Sequence, residues 1–146
     1  MPHTLEELAQ ADLATQRKQA DALAAGCGDA EAASACAAAL EEMGPPAADL
    51  LPELVVLLAA EAGDTAYWAA TLLGRLGETA APAVASLTRL AVSELPLAAR
   101  ERAVWALGEI GPAAREAAPT LAKLALSDEP RMARLAQKAL DRVGAV

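Results

Sequence analysis

Phenylalanine is absent from this chain of 146 residues, isoleucine and tyrosine occur once each, as Ile110 and Tyr67, and the two tryptophans are Trp68 and Trp105. A β-sandwich or barrel fills its core with aromatic and β-branched side chains, so their scarcity excludes an all-β fold. Histidine is nearly as scarce. The single His3 leaves no ligand set for a zinc site and no second imidazole to activate a serine or cysteine nucleophile. Cys27 and Cys36 stand nine positions apart in alanine-rich sequence and read as small apolar fillers, not as a disulfide or a metal pair. The expectation is therefore no catalytic residue, no metal, no cofactor and no enzymatic activity.

Long apolar runs are missing as well. The longest, residues 50–60, is interrupted by Pro52 and Glu53 and falls short of the roughly 20 residues that a bilayer-spanning helix needs. The opening Met1-Pro2-His3-Thr4-Leu5-Glu6-Glu7 carries acids where an export signal carries bases, so the chain is expected in the cytoplasm and off the membrane. Basic charge is in deficit, with 12 Lys and Arg against 20 Asp and Glu and a net charge of -8. The deficit lies in the front half: residues 1–70 hold twelve acids and two bases, residues 71–146 eight acids and ten bases. Such a chain repels phosphates, which argues against nucleic acid as a partner. Nine arginines to three lysines beside so much alanine suit a G+C-rich bacterial genome.

What is abundant is alanine, with leucine second, and both favour helix. They are not scattered. Leu40, Leu73, Leu107 and Leu140 recur at intervals of 33, 34 and 33, each with an apolar residue three positions on and a glycine (Gly44, Gly77, Gly111, Gly144) four positions on. Small or apolar residues also stand four before and one before each leucine, which makes one helical stripe ending at a glycine stop. This stripe defines an A helix in each unit. After the glycines, Leu54, Leu87 and Leu121 align, then Leu57, Leu90 and Leu124, and Pro52, Pro82 and Pro119 sit near the first turn of this second, B helix. Helix pairs recurring at so constant an interval define an α-solenoid.

The third unit resembles the HEAT repeat, in the bacterial form called phycobilisome-lyase-like. The residues that carry the likeness are Arg100, Ala103, Ala106-Leu107-Gly108-Glu109-Ile110-Gly111, Ala114, Ala118-Pro119, Leu121, Leu124 and Asp128. Family repeats commonly carry an arginine seven positions before the key leucine, where this chain has Ala33, Ala66, Arg100 and Ala133, so a regular ladder of such arginines is incomplete. The expected architecture is an all-α solenoid of about three and a half helix pairs. Residues 28–62, 63–94 and 95–130 are read as repeats and 131–146 as a partial one, all in one continuous domain. Residues 1–27, rich in alternating leucine and charge, are read as an N-terminal capping helix.

Function is expected to reside in a surface. Counted from the key leucines, Tyr67 shares a column with Ser34, Glu101 and Arg134, and Trp105 shares one with Ala38, Thr71 and Lys138. Because those columns are polar in other repeats, both aromatics are expected outside, and stacked A helices should bring them together as a docking patch. Glu101 and Arg134 belong to the same face. On the B helices, Arg89 and Lys123 are the charged outward candidates. The leading reading is a non-enzymatic protein-interaction module or scaffold with a protein partner. Two others stand beside it: an accessory subunit of an enzyme assembly, which is what the likeness to bilin-lyase repeats implies, and a self-assembling protein joined through its basic last helix (Arg131, Arg134, Lys138, Arg142).

Overall fold

A computed structural model describes residues 51–59 and 63–144, together with Ala48. The capping helix expected over residues 1–27, the first A helix around Leu40, both cysteines and His3 lie outside the described residues. Within them the elements run α1 (Leu51–Leu57), α2 (Gly63–Arg75), α3 (Val84–Ala91), α4 (Leu97–Ile110), α5 (Ala118–Leu124) and α6 (Pro130–Val143), with 3-10 segments over Gly77–Ala83 and Gly111–Ala117. The described part is all-α, as the composition requires.

The key-leucine stripe is the inside of the molecule. Ala69, Leu72 and Leu73 on α2, Ala103, Ala106, Leu107 and Ile110 on α4, and Ala136, Ala139 and Val143 on α6 are buried, while Leu76 and Leu140 are half-buried. Each stripe ends where the spacing places its glycine. Gly77, Gly111 and Gly144 have φ of 58°, 76° and 71°, a region closed to most side chains, so the chain turns there with little strain. The long helices α2, α4 and α6 pack on one another in one layer. The short helices α1, α3 and α5 form the second layer, each lying chiefly on the long helix that follows it. Leu54, Leu87 and Leu121 anchor that second layer and are fully buried.

Between the layers the chain does not loop freely. The two 3-10 segments each bury a pair of alanines, Ala80 with Ala83 and Ala114 with Ala117, which pack against the long helices. A side chain of one carbon lets a backbone segment lie flat on a neighbour, and alanine is the commonest residue in this core. Closest approach falls at two glycines one position after the key leucines. A Cβ on Gly108 would meet Cα of Ala139 at 3.2 Å, and one on Gly74 would come within 2.9 Å of three ring atoms of Trp105. The indole of α4 thus lies directly on the backbone of α2.

This contact sets a test. Gly74→Ala should cost about 1–3 kcal/mol by overpacking. In a Trp105→Ala background the same change should be neutral or stabilise by up to about 1 kcal/mol, because alanine favours helix over glycine. Urea denaturation of the double-mutant cycle measures the coupling, and additive effects would mean that the ring does not rest on Gly74.

Candidate docking site

Tyr67 on α2 and Trp105 on α4 are brought together, but not outside. Both are half-buried and packed against the core. The expectation of exposure fails because polarity in an aligned column is a weak guide to burial here. The two buried polar side chains among the described residues, Thr71 and Glu101, come from those same two columns. Thr71 is satisfied within its helix, its Oγ1 donating to the carbonyl of Tyr67 at 2.8 Å. Along each column the last helix is the exposed one: Tyr67 half-buried, Glu101 buried, Arg134 exposed, and likewise Thr71 buried, Trp105 half-buried, Lys138 exposed. This face is the one that each long helix turns toward its successor.

The centre of the cluster is Arg102, a residue the column argument passed over. Its guanidinium carbon lies 4.7 Å from the ring centroid of Tyr67 and 5.0 Å from that of Trp105, and its Nη2 donates to the Tyr67 hydroxyl. A planar cation between two π faces is attracted to both while its edge remains free to hydrogen-bond. Tyr67 in turn meets Trp68 edge-on, centroids 5.1 Å apart at 85°, and Trp68 is 8% exposed, in the core. The sequence signal was present. Arg102 shares its column with Trp68 and Leu135, and a charge in an apolar column marks a cation held by something specific.

Each layer of the molecule bears an opening. On the long-helix face, beside the stack, a cavity of about 210 Å³ is walled by Tyr67, Ala98, Glu101, Arg102, Trp105, Arg131 and Leu135. Glu101 is 9% exposed, its Oε2 has no hydrogen-bond partner, and Nε of Arg131 stands 3.6 Å from that oxygen across the gap between α4 and α6. A second ion pair, Arg142 to Glu109 at 3.1 Å, ties the same two helices. Two of the four bases of α6 are thereby engaged, and Arg134 and Lys138 are exposed with no ion pair to a described residue. On the short-helix face a groove of about 280 Å³ lies between α1 and α3, floored by Val55, Leu58, Leu90 and Leu95 and edged by Ser86, Arg89 and Ser93. Arg89 and Lys123 are both exposed on this side, so the six candidate residues divide between two faces. The side chain of Glu53 lies outside the described residues.

The family profile for HEAT repeats matches residues 51–141. The chain belongs to the HEAT-repeat family. No curated protein and no solved structure matches it. HEAT repeats in general mediate protein-protein interaction and scaffolding. In this chain the HEAT pattern explains the paired layers and the small residues between them, while the aromatic and guanidinium stack is an addition on the outer seam. Arg100, the one arginine seven before a key leucine among the described repeats, donates from Nε to the carbonyl of Leu95 at 2.9 Å and ties α4 to the preceding turn. Among the described residues no helix is long and apolar enough to cross a membrane, and no three His, Cys, Asp or Glu side chains are grouped to hold a metal.

The stack should register in both stability and fluorescence. Tyr67→Phe removes one hydrogen bond and should lower stability by about 0.5–1.5 kcal/mol. In a Trp68→Tyr background, Trp105 emission should be quenched by acrylamide only partly in the parent and more readily after Arg102→Ala. Equal quenching in both would show that the guanidinium does not cover the indole.

Proposed function

We propose that the protein is a non-enzymatic docking module whose partner engages the long-helix face at the cavity between α4 and α6. The observation that carries this reading is the pairing of a rigid wall with an unsatisfied one. Tyr67, Arg102 and Trp105 are fixed against one another, whereas Glu101 buries a carboxylate oxygen with no hydrogen bond and Arg131 reaches it only at 3.6 Å. Buried polar atoms left unpaired are destabilising, and a partner group that completes the pairing gains what the free protein lacks. The apolar sides offered by Trp105 and Leu135 suit the stem of an inserted side chain, and exposed Arg134 lies on the adjoining surface of α6. Aromatic and arginine residues of this kind are where docking energy concentrates.

Affinity capture from extracts of the source cells tests the reading. Immobilised parent protein should retain a specific partner, and the Arg131→Ala, Arg134→Ala double variant should retain it at least about tenfold less while staying folded, its melting lowered by loss of the pair with Glu101. Arg134→Ala alone should weaken capture with melting unchanged, because that side chain is exposed and has no ion pair to a described residue. Arg89→Ala with Lys123→Ala, on the other face, should leave that capture intact. The same partner held equally by the α6 variant but lost by the short-helix variant would move the docking site to the groove between α1 and α3. Recovery of an enzyme carrying its own cofactor would make the chain an accessory subunit of the kind that bilin-lyase-like repeats imply.

A further inference from the structure

The ends of the short helices carry the same surface twice. At the close of α3 the Val92 amide donates to the carbonyl of Arg89 and the Ser93 amide to that of Leu90. At the close of α5 the Leu126 amide donates to the carbonyl of Lys123 and the Ser127 amide to that of Leu124. In each turn the serine Oγ then accepts from the amide two positions on, Ser93 from Leu95 at 3.2 Å and Ser127 from Glu129 at 3.1 Å. Matching hydrogen bonds hold matching triplets: a cation (Arg89, Lys123), an apolar residue three positions on (Val92, Leu126) and an acid two further on (Glu94, Asp128). All six are exposed, and none of the four charges has an ion pair to a described residue. Val92 is 60% and Leu126 85% exposed, and with Val56 they are the large apolar side chains that the described residues leave in water. Two successive repeats therefore present the same three positions in the same order, basic, apolar and acidic, which makes three bands along the edge.

We propose that this edge is a homodimer contact, its occupant a second copy of the chain. A three-band surface with opposite charges flanking an apolar centre is self-complementary under one operation. A two-fold axis lying along the apolar band sets Val92 against Val92 and Leu126 against Leu126, and turns each basic band onto the acidic band of the other copy. Arg89 then faces Glu94, and Lys123 faces Asp128. An axis across the bands would set like charges together, so the charge pattern selects one isologous arrangement, with the two solenoids side by side and their repeats in register. The contact covers apolar side chains that are otherwise hydrated, and its charges supply orientation more than strength. With two exposed apolar residues per copy it is a small interface, so association is expected to be weak and concentration-dependent.

Sedimentation velocity of the full chain at low salt, from about 5 to 500 μM, should show monomer passing to dimer, and Leu126→Asp should remain monomeric throughout that range. Charge inversion decides the geometry. Arg89→Glu with Lys123→Glu makes an all-acidic edge, and Glu94→Arg with Asp128→Arg an all-basic one. Each variant alone should be monomeric, and an equimolar mixture should form a heterodimer at least as tight as the parent. In a Cys27→Ser, Cys36→Ser background, Leu126→Cys should cross-link to itself under mild oxidation, whereas Arg89→Cys should cross-link only when mixed with Glu94→Cys. A parent that stays monomeric across the whole range, or charge variants that dimerise alone as the parent does, would overturn the proposal.

Discussion

Everything in this structure depends on how closely the long helices approach. Alanine at many of the buried positions of α2, α4 and α6 keeps the seams thin, and glycine at 74 and 108 takes the closest contacts, with the Trp105 indole at the first and the α6 backbone at the second. Close approach brings many weak contacts into range, which is how a core without phenylalanine can still be dense. It also concentrates the apolar contribution of larger side chains in a few residues. Leu54, Leu73, Leu87, Leu107 and Leu121 are fully buried, and shortening any of them would leave a void.

The same closeness determines where polar groups can go. Two helices that nearly touch have no room for a solvated face between them, so residues on the seam must be short, stacked or paired. Thr71 folds its hydroxyl back onto its own helix, Arg102 sits over two rings, and Glu101 is paired with Arg131 from the next helix. These are three solutions to one constraint. They differ in completeness: the threonine is satisfied, the arginine has its π partners and a hydroxyl, and the glutamate retains an unbonded oxygen. That inequality leaves the seam between α4 and α6 with the one incompletely paired buried carboxylate among the described residues.

Much of this was legible in the sequence because the repeat averages over local noise. A leucine recurring at a near-constant interval with a glycine four positions on specifies a helix, its inner face and its end, and burial with positive φ is found at those positions. Aligned columns were less informative where the repeats are not equivalent. Ser34, Glu101 and Arg134 made the Tyr67 column look external, yet each long helix except the last described one has a successor packed on that face, so the same column is covered on α2 and α4 and open on α6. The 3-10 segments were not legible at all. Runs such as Glu78-Thr79-Ala80-Ala81-Pro82 hold no periodicity to announce them, and their form is imposed by the helices they lie on.

The asymmetry of charge along the chain has a structural counterpart at its basic end. Ten bases follow residue 70, but they do not make a uniformly positive surface. Arg131 and Arg142 reach across the surface of the seam to Glu101 and Glu109, Arg102 is stacked, and Arg100 holds a backbone carbonyl. These four cations join elements of the fold, in a stretch where alanine contacts alone bind helices weakly. Arg134, Lys138, Arg89 and Lys123 have no ion pair to a described residue, two on each face. Cations without counter-charges thus stand on both faces of the two-layer structure, and the docking proposed for the long-helix seam and the dimer proposed for the short-helix edge draw on different residues.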